Sequence, residues 1–136
     1  MSSSPRFADV DTPALLLDLA QVERNIDRYQ RLAQDAGLAL RPHAKAHKCA
    51  HIGRLQIERG AVGLCCAKLG EAEALATLPD LLITTPVVGP LKIRRLMALA
   101  HRVKLAVVAD DAGNISELAE AVRQAGVALD VLVDVD

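Results

Sequence analysis

Short apolar runs alternate with longer amphipathic runs along almost the whole of this chain, and that alternation limits its fold most. Ala14–Leu17 reads as a strand, and Ala20–Ala36 follows with Val22, Ile26, Tyr29 and Ala33 at helical spacing until Gly37 stops it. Leu38–Pro42 reads as a second strand and Cys49–Arg59 as a helix ended by Gly60. Val62–Cys66, Asp80–Thr84, Lys104–Ala109 and Leu129–Val135 read as further strands. Between them lie helical stretches at Lys68–Thr77, Pro90–His101, with proline at its entrance, and Asn114–Gln124. Each strand–helix unit takes roughly 20 to 28 residues, the size of one βα step.

The strands are rich in Leu, Val, Ile and Ala with little polar alternation, which predicts burial on both faces and hence parallel pairing. Two architectures fit: an open doubly wound sheet, or part of a (β/α)8 barrel. In both, function collects at the C-terminal ends of the strands. Neither of the common glycine-rich nucleotide fingerprints follows any strand. A complete barrel takes about 250 residues, so 136 residues supply roughly half of one. Val131–Asp136 is strand-like to its last residue, so the expectation is a fragment that ends on an exposed sheet edge.

Immediately after the second strand stands Arg41-Pro-His-Ala-Lys-Ala-His-Lys48, a dense group of cationic and protonatable side chains at a strand's C-terminal end. A lysine crowded by positive groups gives up its proton more readily, and only the neutral amine attacks a carbonyl. The run is therefore a candidate site for covalent catalysis through a lysine, and the residues alone leave Lys45 and Lys48 both open. Elsewhere the charge is balanced, at −1 overall, and Phe7 and Tyr29 are the only aromatic residues, so no nucleic-acid-binding surface is expected. No apolar run reaches the roughly 18 residues that cross a bilayer, and no hydrophobic segment of a secretion signal follows Met1–Arg6. Three cysteines, two of them adjacent, fit a reducing compartment, so a cytoplasmic protein is expected. Cys65 and Cys66 point to opposite faces of a strand and read as small buried hydrophobes rather than as a metal pair.

Several segments together resemble a known group. They are Asp11-Thr-Pro-Ala-Leu-Leu-Leu-Asp-Leu19, the Arg41–Lys48 run, Ala61-Val-Gly-Leu-Cys-Cys-Ala-Lys68 with Glu71-Ala-Glu73, Val87-Val-Gly-Pro90 and Val131–Asp136. This set is similar to the D-threonine aldolase and D-serine dehydratase group, pyridoxal-phosphate enzymes that share an alanine-racemase-like N-terminal barrel. The Pro-His-Ala-Lys-x-His-Lys run is its specific part. The resemblance implies an α/β fold of parallel (β/α) repeats forming about half of such a barrel over residues 11–136, after a flexible start at 1–10, with the group's C-terminal β-domain absent.

By the same resemblance Lys45 forms the Schiff base with pyridoxal 5'-phosphate, and His43 and His47 help to orient the cofactor or the lysine. Lys48 is then the competing amine, placed to meet a phosphate or solvent. The implied activity is that of a lyase on D-3-hydroxy amino acids, foremost retro-aldol cleavage of D-threonine to glycine and acetaldehyde, with D-serine dehydration as the alternative. The group's divalent metal is expected to take its ligands from a C-terminal region outside this chain. A D-amino acid is thus the expected partner, with neither nucleic acid nor membrane. A half-barrel that exposes apolar edges favours association, a homodimer included, or misfolding. A non-catalytic cofactor-binding module and a truncated product without a role of its own are the other readings.

The remaining polar residues have plainer explanations. His43, His47 and His51 would align for a metal only on one continuous helix, which Pro42 opposes. Glu71 and Glu73 stand two residues apart on a helix and share no face. Asp110 and Asp111 read as helix capping residues. Asp134 and Asp136 fall near the active mouth, where one of them has a cofactor-side role as its functional reading.

Overall fold

A computed structural model describes residues 9–135 of the chain. The flexible start expected at residues 1–10 therefore lies almost wholly outside the described residues, as does Asp136. The elements run α1 (Leu19–Asp35), α2 (Ala50–Glu58), β1 (Leu64–Cys66), α3 (Leu69–Ala74), β2 (Asp80–Ile83), α4 (Pro90–Ala100), β3 (Lys104–Ala109), α5 (Ala112–Ala125) and β4 (Asp130–Val133).

Local chemistry sets the element ends. Asp18 caps α1 by accepting the Gln21 N–H at 3.0 Å. The helix closes where Gly37 takes φ 69° and the Leu38 N–H reaches back to Ala33 O at 2.8 Å. Pro90 opens α4, where a missing N–H costs nothing. Asp111 caps α5 through the Asn114 N–H at 2.8 Å, whereas its neighbour Asp110 is exposed and caps nothing.

All four strands are parallel and lie side by side in chain order, β1-β2-β3-β4. The segment Leu40–Ala44 extends the series beyond β1 through Val62 N–H to Leu40 O, Cys65 N–H to Pro42 O and Ala44 N–H to Cys65 O. A doubly wound sheet reverses its order at a switch point; successive neighbours without reversal are barrel winding. The arrangement thus decides between the two architectures in favour of the (β/α) barrel type.

The sheet's helix-facing side forms the core. Leu64, Leu81 and Leu105 are partners across adjacent strands and are at most 2% exposed, with Cys66, Ile83 and Val107 forming the next row. These rows meet Leu75, Leu96, Met97 and Leu118 from the helices or their ends. Each such leucine contributes about 1.5–3 kcal/mol of burial. The expectation of burial on both faces is corrected here. On the other side Ala106 is buried, but Leu82 and Val108 are only half-buried, because among the described residues the helices cover one face.

Two expected strands also change. Ala14–Leu17 forms none and is exposed, since an apolar run becomes a strand only where a neighbour supplies its ladder. Leu38–Pro42 pairs with the chain before β1 but reaches only an isolated bridge at His43 and Cys65. Pro42 has no N–H to give, and the bonds at Leu40 and Pro42 are met by residues 62 and 65, which leaves an extra residue on that side as a bulge. No helix among the described residues is long and apolar enough to cross a membrane.

Candidate active site at the C-terminal ends of the strands

After the paired residue His43 the chain leaves the sheet in one tight turn, closed by the Lys48 N–H on Ala44 O at 2.8 Å. Ala44 is 1% exposed and packs in the core, so the turn is anchored at its first residue. Lys45 follows it and is exposed. Its side chain has no ion pair among the described residues. An amine at such a position is accessible to a carbonyl compound.

His43 fixes the turn. Its Nδ1 accepts the Lys45 backbone N–H at 3.2 Å, and its Nε2 lies 3.2 Å from Thr84 Oγ1. With Nδ1 accepting, the neutral ring carries its proton on Nε2 and donates it to Thr84. The Thr84 hydroxyl in turn donates to Cys66 O at 3.1 Å. Burial lowers the pKa of His43 below the ordinary imidazole value, and the Lys45 charge lowers it further, against an opposing pull from Glu71. His43 is thus a neutral imidazole with both nitrogens engaged by protein.

Glu71 closes the other side. Its side chain is 11% exposed. One oxygen accepts the Ala67 N–H at 2.8 Å and the other lies 3.7 Å from Lys48 Nζ. A cleft of about 270 Å3 opens beside the turn, lined by Ala44, Lys48, Lys68, Gly70, Glu71 and Leu75 among others. Glu73 turns elsewhere, to Arg95 of α4 at 2.9 Å, so the two glutamates do share no face.

The dense basic cluster of the sequence is taken apart by the fold. Arg41 reaches Asp80 at the N-terminal end of β2, at 2.6 Å, and Asp80 also meets Lys104 at 3.3 Å. Arg41 therefore serves the opposite end of the sheet from Lys45 and does not crowd its amine. His47 is neutralised as well: burial lowers its pKa, partly offset by Gln56 and by the Cys49 backbone. Its Nδ1 accepts the Cys49 N–H at 3.1 Å, while Nε2 is buried without a partner. Helix α2 begins at Ala50 and includes only His51, so the three histidines do not align on one helix.

Burial, with the charges of Glu71 and Cys65, pushes the Cys66 thiol up to about 12. Burial also raises Cys65, against the pull of Arg41. Both remain thiols at neutral pH, and Cys66 is a core residue. Asp134 is exposed just past β4, its N–H bound to Ala109 O at 2.9 Å. Sequence reading passed over Thr84 and assigned Glu71 no role at the site. A threonine directly after a strand and a glutamate in the first turn of the next helix are the only signals either one offers.

The D-threonine aldolase of Arthrobacter sp is 47% identical over 132 residues, which are 96% of this chain and 35% of that protein. The 3-hydroxy-D-aspartate aldolase of Paracoccus denitrificans is 38% identical over 133 residues, 95% of this chain and 34% of that protein. The crystal structure of D-threonine aldolase from Filomicrobium marinum superposes with a TM-score of 0.93 at 43% identity, over 100% of this chain and 38% of that one. The chain thus spans about a third of the length of the curated relatives it matches. Residues 17–136 match the family described as alanine racemase, N-terminal domain, and the chain belongs to that family.

Proposed function

We propose that this chain carries the cofactor-anchoring lysine of a pyridoxal-phosphate-dependent lyase for D-3-hydroxy amino acids. The substrate we favour is D-threonine, cleaved to glycine and acetaldehyde. The observation that carries the reading is Lys45 itself: exposed, without an ion pair among the described residues, and set on a turn locked by a neutral imidazole at the C-terminal end of a parallel sheet. Kinship with two aldolases for 3-hydroxy amino acids of the D series supports the substrate class.

The residues present fit the cofactor in one respect that the chain can supply. Lys45 Nζ would hold its aldehyde carbon covalently, with loss of one water. When bound, pyridoxal phosphate supplies an electron sink for the bond that breaks at the substrate's α-carbon. The chain's own residues do the rest of what is assigned here. Because both nitrogens of His43 are engaged by Lys45 N–H and Thr84, His43 orients the lysine backbone and offers a bound ring only its face. In the proposed cleavage the β-hydroxyl loses its proton, the Cα–Cβ electron pair stays on Cα, and Cα is then protonated. We assign no base and no metal ligand for those steps to these residues. Among the described residues no group of three or more His, Cys, Asp or Glu side chains gathers as a metal site.

Pyridoxal phosphate added to the chain should give a new visible absorbance band. Borohydride trapping and peptide mass spectrometry should then place the modification on Lys45, and Lys45→Ala should lose both. No band, or a modification confined to Lys48, would sink the reading. With D-threonine and D-serine offered to a protein of the relatives' full length, acetaldehyde with glycine marks the aldolase and pyruvate with ammonia the dehydratase.

A further inference from the structure

We propose that Glu71 is a positioning residue for Lys45, acting through Lys48: it clamps the far end of the turn on which Lys45 stands. The proposal rests on the reading of Lys45 as the covalent anchor and adds the element that holds that anchor in place.

Lys48 is the one non-glycine residue with a positive φ, 48°, among the described residues. A side chain with a Cβ in this left-handed region is strained and persists there only where its surroundings hold it. Two contacts hold it. The Lys48 N–H closes the turn on Ala44 O at 2.8 Å, and its Nζ lies 3.7 Å from Glu71 Oε1.

Glu71 is suited to hold something else still. Its side chain is 11% exposed, and its second oxygen takes the Ala67 N–H at 2.8 Å, directly after β1. The carboxylate is therefore fixed to the sheet and to α3 before it meets Lys48. A carboxylate this far from water needs a compensating charge, and Lys48 supplies it. Lys45 then stands between two fixed points, Ala44 in the core and Lys48 on the clamp. An ordinary surface pair would join two mobile side chains and set no backbone angle. This one joins an immobile carboxylate to the one strained residue of the turn.

The Lys48 side chain is 64% exposed, so the pair is partly screened and its effect is moderate. Glu71→Gln keeps an acceptor for the Ala67 N–H and removes only the charge, and Lys48→Met removes the charge from the other side. Two measurements on the whole chain follow. In the cofactor-free protein, NMR should show faster amide exchange at Lys48, and a changed Lys48 backbone coupling constant, in both variants, with the Ala67 amide unchanged in Glu71→Gln. With pyridoxal phosphate added, capture at Lys45 should slow up to about fivefold, the range expected of one partly exposed ion pair. The melting temperature should fall by only a few degrees, and slowed capture together with a change confined to the Lys48 amide is what a merely structural role would not predict. Lys48→Arg should restore the rate, and the double variant should be no slower than either single one.

Unchanged Lys48 exchange and unchanged capture in both single variants would overturn the proposal. So would loss of capture in Lys48→Arg, which would make Lys48 the reacting amine. If the parent chain takes up no pyridoxal phosphate, the reading of Lys45 fails, while the exchange measurement still decides whether Glu71 sets the turn.

Discussion

Nε2 of His43 lies 3.2 Å from Oγ1 of Thr84, a residue 41 positions further along the chain, and with Nδ1 accepting the Lys45 N–H this contact pairs the proton carried on Nε2. Thr84→Val keeps the shape of the side chain and removes the acceptor, so a partly buried imidazole N–H is left without its partner. The expected cost is about 1 kcal/mol of stability. Nitrogen-15 spectra should show His43 shifting from a single Nε2–H tautomer to a mixture. Capture of pyridoxal phosphate at Lys45 should slow in the same variant, because His43 no longer holds the Lys45 N–H in one orientation.

Both His43 and His47 have pKa values below the ordinary imidazole value, burial being the first cause in each. A base with a lowered pKa in the folded state takes up its proton more readily when unfolded. Its contribution to stability is therefore complete above the unfolded value of about 6.5 and is lost as the pH falls below it, towards the folded values. Urea melts should show stability falling between pH 7.5 and pH 5, with a smaller fall in His47→Gln. Asp80 acts in a separate, more acidic window. Burial raises its carboxyl, but the hydrogen bonds and charges of Arg41 and Lys104 outweigh this and hold it below the usual range. Its contribution is lost only as the pH falls below about 3.9.

What could be read from the sequence was what local chemistry decides. Pro90 marked the start of α4, Gly37 the end of α1, and the apolar run Lys104–Ala109 coincides with β3. Pairing across the chain was not legible. Ala14–Leu17 has the composition of a strand and no ladder to join, and the pairing of Leu38–Pro42 is broken by a missing N–H and a bulge. The basic run misled for the same reason. Arg41 is four residues from Lys45 in sequence, yet its partner Asp80, 39 residues away, takes it to the other end of the sheet. Lys45 itself was found through a resemblance, and the Thr84 and Glu71 contacts emerge only once β2 and α3 stand beside the turn.

Asn114 is 5% exposed and donates its Nδ2–H to Val87 O at 3.0 Å, tying α5 to the loop before α4. Its Oδ1 is buried without a partner. Asn114→Ala leaves Val87 O unpaired and opens a small void, for an expected loss of about 1–3 kcal/mol. Asn114→Asp should cost more, since a carboxylate cannot donate to Val87 O and would be buried without a counter-charge. Chemical denaturation of the two variants tests the order.

Gly63 makes room for the ion pair at the N-terminal end of the sheet. A Cβ there would fall 2.2 Å from Arg41 Nη1 and 2.7 Å from the Asp80 backbone oxygen. The guanidinium can swing away, but the carbonyl belongs to the first residue of β2, next to the Leu81 that packs between Leu64 and Leu105. Gly63→Ala should therefore displace Arg41 and strain the start of β2, for a loss of about 1–3 kcal/mol. With Arg41 displaced, the Asp80 carboxyl loses one of the two partners that hold it down, and its pKa should rise in carbon-13 titration. Asp80→Asn should also destabilise the chain, by leaving Arg41 and Lys104 without their shared carboxylate. Capture of pyridoxal phosphate at Lys45 should keep the parent rate in Asp80→Asn, because Arg41 and Asp80 act at the opposite end of the strands. A slowed capture there would return Arg41 to the environment of the Lys45 amine and overturn the division of the basic run between the two ends of the sheet.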